Sequence, residues 1–407
     1  MKSLNFAKRA CADDANLCEI IDINVGKSQE KFKGVLDVLK KNRFDTQYRK
    51  QLEKMAASGT VGGYIRLAGA SYLSNGTIKG GKICINYVEA EGIIPLTVVN
   101  GDVIECAFAG EDIVRGKTVG TLVIFKLENG MYTANTYVFE DDKNVPEKDT
   151  AIQLGDVKPF FIMHVAEVNN LDNMEGYGYP KLYSTIPVLE VLDLSYNILF
   201  SDLDKGEKIM LVNEMLCKFD ANGLPRFTPE QKKYFVQYGE KHSDEKSLIH
   251  EYNPTIRIDD VKKIFETCLS LLSMTFGYGT KKYTFESGQI KTATEYIGER
   301  QDAMQELNKQ RYEATQYIQS ICKAIIWFSN TFHGTNWNLD DEICVQFDDS
   351  YITDRQTELE SMRADAISFP EVSEFKIRYI MLRLNCERDE ALKYIKNVEE
   401  PVDDLND

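Results

Sequence analysis

TATEYIGERQDAMQELNKQRYEATQYIQSICKAIIWF, residues 292–328, contains the strongest periodic signal in the chain. Positions 293, 297, 300, 304, 307, 311, 314, 318, 321, 325 and 328 alternate in steps of three and four, which is the spacing of one helical face. All are apolar or small except Arg300 and Arg311. At about 1.5 Å per residue the stretch extends roughly 55 Å, further than most domains are wide. We therefore expect this seam (Arg300, Met304, Leu307, Arg311, Ile318) to pack against several partners, some of them in other subunits. A buried arginine in it needs a carboxylate or carbonyl acceptor. Gly298, near the start, is the expected kink, because glycine weakens a helix interior by about 1 kcal/mol.

Upstream, the Gly- and Lys-bearing FGYGTKKYTFESGQIK (276–291) reads as a loop. The helix before it starts at Asp259, where acidic residues suit the positive N-terminal end. An earlier apolar helix covers about 181–203, with Ser184 or Thr185 as its candidate N-cap and Pro187 early in the helix. Between these helices lie a short strand at 209–212, a helix at 229–238 and polar, proline-marked connections. The first sixty residues read as helical, with Phe32, Val35, Leu36 and Leu39 on one face and a second helix at 45–57. Strands follow at 64–67 and 83–88, and 119–127 and 131–139 form a hairpin around Asn129-Gly130. The charged run 140–149 reads as a solvated loop, and 160–165 as one more strand. Beyond the long helix come a strand at 343–347, helices at 353–367, 373–384 and 387–398, and an acidic tail. The fold class is α+β.

The composition narrows the function. The chain has 407 residues, 48 Lys+Arg against 64 Asp+Glu and a net charge of −16, which argues against a binder that wraps DNA phosphates in a basic surface. Charges interrupt every apolar run, so no membrane span is expected. The opening MKSLNFAKRACADDANLCEI lacks the apolar core of a secretory signal. Nine scattered cysteines without a CxxC point to reduced intracellular thiols. Gly26-Lys27-Ser28 resembles the end of a phosphate-binding loop, but position 21 is Ile where that loop needs glycine. The histidines (164, 242, 250, 333) have no ligand spacing, and 202–206 misplaces the glycine of a calcium loop. Asp259-Asp260 and Asp340-Asp341 are explained by capping. No nucleophile motif is present. We expect no catalytic residue, metal or cofactor.

Four stretches carry a family resemblance. They are GKICINYVEAEGIIPL (81–96), GYGYPKLYSTIPVLEVLDLSYNILFSDLDKGEKIMLVN (176–213), YTFESGQIKTATEYIGERQDAMQELNKQ (283–310) and ICVQFDDSYITDRQTELESMRAD (343–365). In this order the chain resembles the portal proteins of tailed bacteriophages, the head-to-tail connector family, in the type found in phages of Gram-positive hosts. The Lys-Thr-Ala-Thr-Glu start of a long helix, after a loop ending in Phe-x-x-x-Gly, is the most specific element.

The resemblance implies a portal fold with a mixed α/β wing, a helical stem, a small α/β clip and one very long kinked helix. The wing would span 1–174 with a strand in 334–352, the stem helices 175–205 and 256–276, and the clip 206–255. Residues 277–291 would be the tunnel loop, 292–333 the long helix, and 353–407 a reduced crown with an acidic tail. The resemblance further implies a structural, non-enzymatic ring of twelve subunits at the capsid vertex of the virion, assembled in host cytoplasm, with no membrane partner. Its partners would be the terminase large subunit, the major capsid and scaffolding proteins, and a head-completion adaptor. Double-stranded DNA would pass through the channel during packaging and ejection, with Lys281, Lys282 and Lys291 facing it. Two alternatives remain: another intracellular α+β structural or adaptor protein of a phage particle, and an enzyme whose site the motifs do not reveal.

Overall fold

The computed structural model describes the chain apart from residues 1–2, 26–28, 73–77, 141–147, 207–208, 214–217, 219, 223–233, 238–248, 254, 280–281, 284–292, 348–354, 370–372, 385–387, 389–390, 393–394 and 396–407. Its centre is a pair of stacked sheets. Strands β2 (Thr60–Ala68), β5 (Lys82–Glu89) and β11 (Phe160–His164) form an antiparallel sheet in the order β11-β2-β5. Strands β6 (Ile93–Val99), β7 (Asp102–Val114), β8 (Lys117–Glu128), β9 (Met131–Glu140) and β10 (Lys148–Gln153) form an antiparallel meander in the order β10-β9-β8-β7-β6. Side chains alternate between the faces of a strand, and consecutive phenylalanines of β11 show the consequence. Phe160 joins Phe108, Phe125 and Tyr132 between the sheets, at ring separations of 5.6 to 6.1 Å. Phe161 points the other way and meets Tyr317 edge-on at 5.2 Å.

Tyr317 belongs to α6 (Ala293–His333), the 41-residue helix that crosses β11. On the same side α3 (Phe44–Ser58) covers β2 and β5, with α1 (Phe6–Ala15) and α2 (Gln29–Lys41) against it. The β8–β9 hairpin turns at Asn129-Gly130, where φ is +52° and +80° at the two central residues, the geometry of a tight primed turn.

The sheets contain most of the departures from the sequence reading. Ile20–Val25 is strand β1, not helix, and pairs antiparallel with β15 (Ile343–Phe347), more than three hundred residues away. A β-branched run of six residues is too short for periodicity to separate strand from helix, so the distant partner decides. β10 begins within the run read as a solvated loop at 140–149, and residues 141–147 lie outside the described part. The helix expected at 229–238 is corrected too: Tyr234–Gln237 is β13, parallel to β12 (Ile209–Asn213), which also pairs with β14 (Ile249–Tyr252). Aromatic and β-branched side chains favour that pleated partner over a helix begun by a proline.

Helix α4 (Lys181–Lys205) begins after Pro180, at the expected start of the helix but a turn before the expected cap residues. Ser184 and Thr185 are therefore interior residues whose hydroxyls donate back to the carbonyls of Lys181 and Leu182, and neither is the N-cap. Pro187 sits early in the helix, in its second turn. Helix α5 spans Ile258–Thr275, and α7 (Arg355–Ser368) packs on α8 (Ser373–Leu384). The helix expected at 387–398 falls mostly outside the described residues.

Candidate functional site

Helices α4 and α5 form a hairpin whose two ends are fixed by polar contacts. At one end Arg257, just before α5, donates two hydrogen bonds to Asp202 near the end of α4, at 2.9 and 2.8 Å. This pairing holds the Asp202 carboxyl below its usual range. At the other end, Lys181 of α4 and Tyr278 just beyond α5 both donate to Asp14 Oδ1, at 2.9 and 2.8 Å. The start of one helix thus lies beside the finish of the other, so the pair is antiparallel. The 25 residues of α4 make it about 37 Å long. The small sheet β13-β12-β14 is inserted at the Asp202–Arg257 end.

The hairpin fills its own interface with Leu192, Cys268, Leu269 and Leu272, all buried. It also carries a second set of large apolar residues that face solvent. Tyr183, Ile186 and Leu194 on α4 and Ile264, Leu271 and Met274 on α5 are each 42% to 56% exposed. The α5 residues fall at steps of seven and three, one helical face, alongside the buried face of Cys268, Leu269 and Leu272. A shallow groove runs along that face between Thr267 and Met274. Scattered exposed apolar residues are ordinary, but here six large apolar side chains face solvent on the two helices of one hairpin.

α5 ends in a motif that its sequence encodes. The amide of Gly277 donates to Met274 O and that of Tyr278 to Ser273 O, both at 3.0 Å, and Gly277 has φ +79°. This is the paired-bond stop that needs a left-handed residue just past the helix. Tyr278 stacks on Phe276, and the Lys282 ammonium lies 4.0 Å from the centre of the Tyr278 ring. Of the expected loop lysines, Lys282 is therefore folded back onto an aromatic face. Lys281 and Lys291 lie outside the described residues.

The expected seam of α6 divides by position. Leu307 and Ile318 are buried within this chain's own core, and Met304 is half-buried. The Arg311 guanidinium sits 5.2 Å from the Phe347 ring, joining α6 to the β1–β15 ribbon. α6 runs as one helical segment through Gly298 and Arg300.

A buried charge cluster went unread in the sequence, because its hydrogen-bonded members lie as much as 270 positions apart and share no motif. Lys181 is 1% exposed at its side chain, with Asp14 at 2.9 Å and Glu306 of α6 at 3.6 Å. Burial lowers the Lys181 pKa, but Asp14, then Glu306 and Glu167, more than offset it and the net shift is upward. Burial also raises the hydroxyl of Tyr278, and Asp14 adds to it. Next to it, Tyr283 donates to Asp13 Oδ2 at 3.0 Å, and Arg9 pairs with the same carboxylate. Glu167, nearby, is pushed up by burial and by the carboxylates of Glu306 and Asp14. The thiols of Cys11 and Cys18 are pushed up to about 12, chiefly by burial, which leaves them protonated and unreactive at neutral pH. Among the described residues no cluster of three or more His, Cys, Asp or Glu side chains could hold a metal ion, and no helix is long and apolar enough to cross a membrane.

Two solved particles contain chains similar to this one. One is the virion of a native gene transfer agent particle, at 10% identity and a TM-score of 0.43, covering 93% of this chain and 88% of that one. The other is the neck of a native gene transfer agent particle with C12 symmetry, at 11% identity and a TM-score of 0.44, covering 91% and 88%. No family model and no curated protein matches the chain. At this identity and TM-score the likeness assigns neither activity nor partner, and the functional reading rests on the chain's own residues.

Proposed function

We propose that the chain is a structural, ring-forming portal protein of a phage-like particle, lining a channel through which double-stranded DNA passes. The observation that carries the reading is the α4–α5 hairpin, with its filled interior and exposed apolar stripes on both helices. A stripe on one helix that meets a different stripe on a neighbour makes a head-to-tail contact, and such contacts close into rings when the rotation permits. The family resemblance at 176–213 and 283–310 supplies the expected number, twelve.

In that ring the α4–α5 hairpins form the stem and the inserted 206–255 segment is the clip that docks the terminase and later the head-completion adaptor. The 277–291 segment faces the channel. Electrostatics supports the assignment: a net charge of −16 per subunit repels phosphates, so DNA slides without adhering. Lys282, stacked on Tyr278, adds a salt-screened positive contact.

Negative-stain microscopy with light scattering on the purified chain tests the reading. Hollow rings are expected for the natural sequence. Leu194→Asp and Leu271→Asp are expected to yield folded monomers, because both positions are exposed in the single chain. Rings that survive both substitutions would remove the hairpin from the interface. A compact particle from the natural sequence would favour an adaptor over a portal.

A further inference from the structure

Residues 31–50 hold seven Lys+Arg and two Asp, a local charge of +5 inside a chain whose net charge is −16. They make up most of α2, the connection Asn42-Arg43 and the first half of α3. Lys33, Lys40, Lys41, Arg43, Arg49 and Lys50 are all exposed, and among the described residues none of them is in an ion pair. Further along α3 the ordinary pattern returns, with Glu53 paired to Lys8 and Lys54 to Glu89. The negative end of α2 accounts for Lys40 and Lys41 in its last turn. It does not account for the other four. The corner that carries them is fixed. Asn42 Nδ2 donates to Val38 O at 2.8 Å and to Ile83 O at 3.1 Å, and its Oδ1 accepts from the Ile85 amide at 3.0 Å. This side-chain amide closes the edge of β5 as a strand's peptide would, and pins the corner to the sheet. By helical rise Lys33 and Lys50 are each within about 13 Å of Asn42, so the charges share one anchored corner.

We infer that the α2–α3 corner binds the phosphate backbone of double-stranded DNA, without regard to sequence. Surfaces that dock proteins have an apolar centre depleted of charge, and among the described residues no large apolar side chain of α2 or α3 is exposed. Single strands need aromatic side chains to stack on, and Phe32, Phe44 and Tyr48 are buried. Cations alone suit the regular charge of a duplex. This contact differs from the sliding channel: it steadies a duplex at one patch of a chain that otherwise repels it. That the duplex is one a particle carries rests on the portal reading; the phosphate binding does not.

The test is fluorescence anisotropy of a labelled mixed-sequence duplex, titrated with the full chain over a range of salt concentrations. The same titration on the Leu194→Asp chain keeps the reading apart from whether rings form. At about 0.1 M salt each phosphate contact is worth nearly ten-fold in affinity. Lys40→Ala with Lys41→Ala, and Arg49→Ala with Lys50→Ala, are each expected to weaken binding about fifty-fold and to lower the salt slope by about two, with the fold retained. Arg43→Asn separates binding from folding. Arg43 has φ +54°, a left-handed conformation that asparagine tolerates better. That variant is expected to melt no lower than the natural chain while binding nearly ten-fold more weakly. Lys126→Ala, on β8, is expected to bind as the natural chain does. No duplex binding by the natural chain, equal binding by the corner variants, or an equal loss in Lys126→Ala would overturn the proposal. Tighter binding of poly-glutamate than of the duplex would overturn it too, and assign the corner to an acidic protein segment.

Discussion

Lys181 and His164 show how differently two buried bases bear on stability. Lys181 is enclosed and stabilised by its carboxylates, so removing it leaves buried Asp14 with only the Tyr278 hydroxyl and Glu306 with only the exposed Lys309. Breaking a buried pair from one side costs about 3–5 kcal/mol, and Lys181→Ala is expected to lose that much in urea unfolding. Replacing Lys181 and Asp14 together by Met and Leu should recover only part, because Tyr278 then lacks its acceptor. A loss within 1 kcal/mol for Lys181→Ala would mean that water reaches the site. His164 is held the opposite way. Burial lowers its pKa below the ordinary 6.5, and its Nε2 is 2.9 Å from Gly176 O. The unfolded chain therefore binds the proton more readily than the folded one, and His164 reduces stability as pH falls below about 6.5. Melting temperatures measured from pH 7.5 to 5 should fall less in His164→Gln than in the natural chain. Parallel curves would place the acid sensitivity elsewhere.

Helix termini were more legible in the sequence than strand partners, and the reason is local against non-local chemistry. Gly277 illustrates the first case: an apolar run followed by Gly states where α5 stops, and the left-handed φ of +79° is the physical content of that signal. A Cβ there costs about 1–2 kcal/mol in left-handed strain and would also meet Glu306 Cγ at 2.8 Å, so Gly277→Ala should lose at least that in urea unfolding, and Gly277→Asn no less. Equal stability of all three would show that the stop motif is dispensable. The period of α6 likewise placed Leu307 and Ile318 on one face, although period alone does not say whose surface they meet. Both are buried in their own chain, so Leu307→Asp would disrupt the fold before it could report on assembly. Strands β1 and β13 lay beyond this kind of reading, since their partners β15 and β12 are set by tertiary closure. The Lys181 cluster lay beyond it too. Nothing in the spacing of Asp13 and Asp14 marks them as buried, and only packing brings Asp14 to a lysine 167 positions away.

At the scale of the whole molecule, the inserted β12–β14 segment is joined to the body by two strands of chain, one leaving after α4 and one returning before α5. The two crossing points touch: a Cβ built on Gly206 would lie 3.3 Å from Ile256 Cγ1. The bidentate Arg257–Asp202 pair closes the hairpin just on the body side of that crossing. Among the described residues, the contacts that fix α4 against α5, from this pair through Leu192 and Leu272 to the Asp14 cluster, lie outside the insert. Removing 207–255 and joining Gly206 to Ile256 through two or three glycines should therefore leave the body's fold intact, because a short linker spans adjacent ends with little closure entropy. The melting temperature and near-ultraviolet circular dichroism of the deletion variant should match the natural chain closely, and the exposed stripes on α4 and α5 should still drive ring formation. What should vanish is binding to whatever docks at the insert, which the portal reading identifies as terminase, measured by pull-down against the purified motor. An intact ring that still captures the motor would move docking to the body. A deletion variant that no longer folds would show that the insert holds the hairpin together, contrary to the placement of its contacts.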